Sequence, residues 1–413
     1  MTSKLDLVKA AYNAHLWTES PLIHVGRPNI GCTEALLSRI RGLCERKWLS
    51  NDGPLVQEFE QRVAEISNVK HCVAMCNATV ALEIAIRAAG LTGEVIVPSY
   101  TFAATAHALQ WQEITPVFCD IDPITHNIDS AKVERLITPK TSGIIGVHVW
   151  GRGCDVSSLV EIARRRNLKL MFDAAHAFGN THTGQPIGGF GLAEVFSFHA
   201  TKFVNCAEGG AVVTNNDELA AKMRLMRNFG FSGYDNVIYV GTNGKMNELS
   251  AAMGLTSLES MEEFKAVNRM NYNSYRACFA NFPGISLIDY DLAEVNNFQY
   301  VVLDVDEATC PISRDQLIQV LHSQNILARR YFFPGVHRME PYKSHYPNAN
   351  LLLPVTERVT SRVVVLPTGT SVGAADIDRI GRIIRDALTK SLYETLRLPR
   401  NIEIGKSFVE IEY

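Results

Sequence analysis

Between residues 70 and 230, short apolar runs alternate with stretches of helical period. Runs at Cys72–Cys76, Glu94–Val97, Pro116–Cys119, Gly143–Val149, Lys169–Phe172, Glu194–Phe198 and Ala211–Thr214 predict seven strands. Helical patterns at Thr79–Ala89, Phe102–Trp111 and Val156–Arg166 lie between them. Several runs are apolar at consecutive positions, as strands covered by helices on both faces must be. Repeated strand–helix units predict an α/β fold with a mostly parallel sheet and right-handed crossovers. After about residue 250 the pattern changes. A long helical pattern, Asn247–Ala280, leads to Pro283-Gly284. Strands follow near Gln299–Val305 and Val363–Leu366, with helices near Arg314–Gln324 and Ala375–Lys390. This divides the chain into an N-terminal extension (1–25), a large domain (26–255), a small α+β domain (256–395) and a tail (396–413).

Composition narrows the classes. The 413 residues are 46% hydrophobic and 20% charged, which suits globular protein and excludes long disorder, collagen and coiled coil. Forty basic and 43 acidic side chains give a net charge of −3, so no basic excess exists to hold nucleic acid. No polybasic segment points to a membrane surface. The apolar stretch Val95–Gln112 contains Pro98, Ser99, Thr101, Thr105 and His107, and reads as strand, turn and helix rather than a bilayer span. No unbroken apolar run marks the N-terminus for secretion. The nine cysteines are scattered, as expected for reduced thiols in cytoplasm. Cys72 and Cys76 are read as buried strand thiols rather than metal ligands.

Open α/β sheets bind ligands at the C-terminal ends of their strands, so the residues after each strand carry the chemistry. Asn77-Ala78-Thr79 opens a helix after the first strand. Free backbone N–H groups there suit a phosphate, though a plain N-cap reads the same way. Phe172-Asp173-Ala174-Ala175-His176 places a carboxylate and an imidazole after the fifth strand. A helix cap and a core histidine are the structural alternatives. Ser197-Phe198-His199-Ala200-Thr201-Lys202 follows the sixth. Desolvation lowers a lysine's pKa and suits it to Schiff-base chemistry, whereas most lysines are merely exposed. Together the three signals match a pyridoxal phosphate site. That site needs an anion cradle, a carboxylate for the pyridine nitrogen and a lysine for the aldehyde.

The motifs WLSNDGP (48–54), CNATVAL (76–82), PSYTFAAT (98–105), DAAHAFG (173–179), SFHATKFVNCAEGGAVVT (197–214) and TNGKMNELSAAMGLTSL (242–258) carry a specific resemblance. From about Gly26 to Leu388 the chain resembles the DegT/DnrJ/EryC1/StrS sugar aminotransferases. GRPN (26–29) and RRYFFPGVHRMEPY (329–342) point to the branch acting on a dTDP-linked 4-keto-6-deoxy sugar. The resemblance implies a type I, aspartate aminotransferase-like fold, pyridoxal 5′-phosphate as cofactor and a homodimer with shared active sites. Lys202 is then the Schiff-base lysine and proton shuttle, and Asp173 the partner of the ring nitrogen. His176 approaches the ring hydroxyl and Phe102 stacks on the ring. Asn77, Ala78, Thr79 and Ser197 lie around the phosphate, and Asn243 reaches the phosphate of the neighbouring subunit. Arg329, Tyr331 and His337 are substrate-side candidates.

Two departures stand out. Relatives often carry Ser-Gly-Thr where this chain has Asn77-Ala78-Thr79, and Arg where it has Lys245. Both belong to the branch just described. The implied reaction moves the amino group of L-glutamate, through pyridoxamine phosphate, onto C4 of dTDP-4-keto-6-deoxyglucose. Amination at C3, or of a GDP- or UDP-linked sugar, is the main alternative. A dehydratase and a non-enzymatic regulator on the same fold are the others. Lys202 argues against the first and the complete residue set against the second.

Overall fold

The computed structural model describes residues 21–280 and 282–389. The expected tail 396–413 and most of the expected N-terminal extension lie outside the described residues.

The large sheet has seven strands: β1 (His71–Met75), β2 (Glu94–Pro98), β3 (Thr115–Cys119), β4 (Thr141–Val147), β5 (Lys169–Asp173), β6 (Ala193–Ser197) and β7 (Gly210–Thr214). Their spatial order is β1-β7-β6-β5-β4-β2-β3. β7 runs antiparallel to both neighbours, and the other contacts are parallel. Six strands therefore end on one edge. Alternate side chains feed two cores. Val73, Val95, Ile145 and Val212 meet α3 (Ala78–Ala89) and α6 (Asp217–Met226) on one face. Cys72, Ala74, Phe196 and Val213 meet Phe59 and Val63 on the other. Burying each large apolar side chain contributes about 1.5–3 kcal/mol. Between the strands lie α4 (Ala103–Gln110) and α5 (Val156–Arg166). The Arg164–Arg166 run closes α5, where Asn167 takes the left-handed conformation and the arginines pair with Glu161 and Glu134.

Two helices have no counterpart in the sequence pattern, α1 (Thr33–Arg46) and α2 (Pro54–Ile66). The start of α2 explains why the turn before it matters. Gly53 has no side chain to cap the helix, so Glu248 supplies both oxygens to the Leu55 and Val56 amides at 3.1 and 2.8 Å. A Cβ on Gly53 would strike that carboxylate.

The long helical pattern is two helices, α7 (Glu248–Glu259) and α8 (Met261–Phe279), broken at Ser260. The expected boundary at 255/256 falls inside α7. Leu255, Leu258, Met261 and Phe264 all pack into the large-sheet core. Beyond it, β8 (Ile285–Leu287), β9 (Val301–Val305) and β10 (Val363–Leu366) form an antiparallel sheet with α9 (Arg314–Ser323) and α10 (Ala374–Leu388). Two segments cross between these bodies. Ile23–His24 pairs with Ile326–Leu327, so residues 23–25 belong to the folded body and not to an extension. The 329–353 segment returns to the large sheet and buries Val336, Tyr342 and Leu353 in its core.

Candidate active site

The edge where six strands end collects the chemistry. Asp173 is the last residue of β5 and lies buried. Its carboxylate accepts from the Thr105 hydroxyl at 2.7 Å and the Ala175 amide at 3.1 Å. It makes no ion pair with any described residue. Burial raises its pKa, and the bonds to Thr105 and Ala175 and the nearby Lys202 charge oppose the rise. A buried carboxylate without a cation is unstable unless something positive completes it.

Lys202 lies on the turn after β6. Burial of its amine lowers the pKa to about 8, against the attraction of Asp173. Nζ sits 3.1 Å from the Tyr300 hydroxyl. His176 is buried under aromatic rings, stacked with Trp150 and Phe332 and 4.5 Å from Tyr300 between ring centres. Burial pushes its pKa well below the usual range, so the ring is neutral. The Trp150 amide donates to Nδ1 at 3.2 Å, which leaves the proton on Nε2.

The first helix turn after β1 is divided in its duties. The Asn77 side chain accepts from the Val80 amide at 2.9 Å, the bond of an N-cap. That carboxamide is committed to the helix, while the Ala78 and Thr79 amides sit in the first turn without helical acceptors. Behind them lies Gly210, the first residue of β7. A Cβ there would approach the Ala78 nitrogen to 2.5 Å. Only glycine lets the turn lie this close to the sheet. Ser197, at the end of β6, is buried beside Gly210 in the ladder. The set contains a cradle of amides, an uncompensated carboxylate, a neutral imidazole N–H and a low-pKa amine, which is what pyridoxal phosphate requires.

The other expected residues differ in their placement. Phe102 is the exposed N-cap of α4. Asn243 is exposed on a segment that bridges Asn228, beside the Gly244 carbonyl that accepts from Cys76. Arg329 is half-buried, its backbone paired with Val365. Tyr331 lines the cleft at Lys202. His337 departs from the expectation of a substrate residue. It is buried, with Nδ1 2.6 Å from the Ser99 hydroxyl and Nε2 2.6 Å from Glu357. Both nitrogens are spent, Nδ1 on tying the returning segment to the large sheet and Nε2 on the helix that follows it. Trp48 donates to the Ser50 carbonyl in an exposed turn, and His199 bonds Thr201. Sequence reasoning missed Tyr300 and Thr105, which reach the site only through the fold.

The model for the DegT/DnrJ/EryC1/StrS aminotransferase family matches residues 32–385. The chain belongs to this family. Its cofactor is pyridoxal 5′-phosphate and it is a transaminase. The solved structure of DesI "in the presence of its TDP-sugar product" shares 49% identity, a TM-score of 0.87, and 92% of this chain and 96% of that one. The dTDP-4-amino-4,6-dideoxy-D-glucose transaminase of Shigella dysenteriae is 38% identical over 88% of this chain and 98% of its own. GDP-perosamine synthase of Caulobacter vibrioides is 35% identical over 88% and 97%. No helix among the described residues is long and apolar enough to cross a membrane.

Proposed function

We propose that this family member transfers the amino group of L-glutamate to C4 of dTDP-4-keto-6-deoxyglucose, giving dTDP-4-amino-4,6-dideoxyglucose. The observation that carries this reading is the 49% identity with DesI along 92% of the chain. The Shigella relative's name supports the same carbon. The GDP-perosamine synthase similarity favours a GDP-linked substrate as the second reading.

Each residue has a part that its surroundings support. Asp173 would hold a protonated ring nitrogen, which completes its own unpaired charge. Bound there, pyridoxal phosphate supplies an electron-withdrawing ring that accepts the electron pair left when a carbon loses its proton. Lys202 would take that proton and return it to the carbon on the other side of the nitrogen, a task suited to an amine with a pKa near the working pH. His176 would donate from Nε2 to the ring hydroxyl. Ala78, Thr79 and Ser197 would hold the phosphate, with Asn77 fixing the turn. Phe102 would cover the ring, and Tyr331 would face the sugar. Arg329 stays a weaker substrate candidate.

A homodimer belongs to the same proposal. Trp48, Leu49, Phe229, Val237, Ile238, Val240 and Leu249 are exposed in the single chain, apolar side chains that a partner subunit would cover. Asn243 lies in the segment after this stretch, from which it would reach the partner's phosphate. All nine cysteines are free thiols, consistent with a cytoplasmic enzyme.

The test uses 15N-labelled L-glutamate with dTDP-, GDP- and UDP-linked 4-keto-6-deoxy sugars. The expected product carries 15N at C4 of the dTDP sugar. No labelled product from any 4-keto sugar, or label in the GDP sugar alone, overturns the substrate assignment. Product formed without label would make the enzyme a dehydratase.

A further inference from the structure

The GRPN motif at residues 26–29 is not absorbed by the chemistry above, yet it is held as firmly as any part of the site. Val25 donates to the Leu327 carbonyl at 3.2 Å. Gly26 takes a positive φ, and a Cβ there would meet the Thr201 methyl at 2.9 Å, so the strap lies directly against the residue before Lys202. Asn29 clamps the other end. Its amide donates to the Phe203 carbonyl at 3.1 Å, and its oxygen accepts from the Thr370 amide and hydroxyl at 2.9 and 3.0 Å. Asn205 donates to the Asn29 carbonyl at 2.9 Å. Between these fixed points stands Arg27, exposed, with no hydrogen bond or ion pair to any described residue.

Among the described residues, Arg27 and Lys202 are the only cations lining the cleft between strap and small domain, and no carboxylate lines it. Gln299 also lines it, with an amide nitrogen that is buried without a hydrogen-bond partner. An amino acid's nitrogen and its carboxylate share one carbon. A donor that delivers its nitrogen at Lys202 therefore brings its carboxylate within a few ångströms of the same place. Arginine's planar fork matches a carboxylate with two parallel bonds.

We infer that Arg27 anchors the α-carboxylate of the amino donor, an inference that rests on the transaminase reading. The two half-reactions separate it from a role in holding the nucleotide. Arg27→Ala should weaken the half-reaction with L-glutamate about 10- to 100-fold at low glutamate, the worth of charge-assisted bonds. The half-reaction with the nucleotide sugar should keep its wild-type rate. Binding of glutarate, a dicarboxylate without an amine, should weaken alongside. Arg27→Lys, which keeps charge but loses the fork, should fall between. An unchanged glutamate half-reaction in folded Arg27→Ala overturns the inference. So does a loss confined to, or equally large in, the sugar half-reaction, which would assign Arg27 to the diphosphate. A wild-type enzyme indifferent to L-glutamate would instead break the reading beneath it.

Discussion

Two clusters each gather a histidine and a carboxylate, and they differ in what is left unmet. At the strand ends, Asp173 has hydrogen bonds but no cation, His176 keeps an N–H, and Lys202 leans only on a tyrosine hydroxyl. Behind the returning segment, Ser99, His337, Glu357 and Arg338 form a closed chain in which every charge has a partner. The second cluster has the residue types of a hydrolytic triad, yet Ser99 and His337 are sealed from solvent. Uncompensated polarity, not the presence of a histidine and an acid, marks the place where a cofactor belongs.

The comparison breaks most visibly at Lys202. Lys202→Ala should lose turnover by about 10⁴-fold or more and lose the visible band of the bound cofactor, while retaining its unfolding transition. Normal turnover in this variant would remove the lysine from the chemistry. Asp173→Asn should cost roughly 10²- to 10³-fold in turnover while cofactor still binds, because a neutral amide cannot keep a ring nitrogen protonated. Equilibrium dialysis and steady-state kinetics separate these effects. In the closed cluster the expected change is of another kind. His337→Ala should lower unfolding stability by about 2–4 kcal/mol in denaturant titration, since it leaves Glu357 and Ser99 without their partner. Once folded, it should capture cofactor at the wild-type rate. The smallest effect is one of pH. Under the proposed function the neutral amine of Lys202 is the nucleophile, so cofactor capture by the apoenzyme should rise with pH and level off above about 8, rather than near the usual lysine value. Stopped-flow absorbance measures it, and a rise continuing to pH 10 would contradict the burial argument.

What could be read from the chain was local. The seven strands are short apolar runs bounded by turn residues, and Asp173, His176, Ser197 and Lys202 lie within a few residues of two strand ends. Their chemistry travels with a short stretch of sequence. Tyr300 and Thr105 act through contacts made across about 100 and 70 positions, so no local pattern announces them. The same distance explains His337. Within RRYFFPGVH it looks available, but Ser99 and Glu357, 238 and 20 residues away, occupy both ring nitrogens. The boundary between bodies was misplaced because α7 and α8 share one helical pattern, while a single residue, Ser260, separates them. Asn77 shows the opposite case. Its side chain caps the helix, and the next two amides are left for the proposed phosphate.

The proposed reaction joins one lysine, one amino donor and one sugar. The visible spectrum of the enzyme loaded with pyridoxal phosphate tests all three at once. L-glutamate should bleach the cofactor's band, and dTDP-4-keto-6-deoxyglucose added afterwards should restore it. Bleaching without restoration would contradict the sugar, and a protein that never develops the band would contradict Lys202 itself.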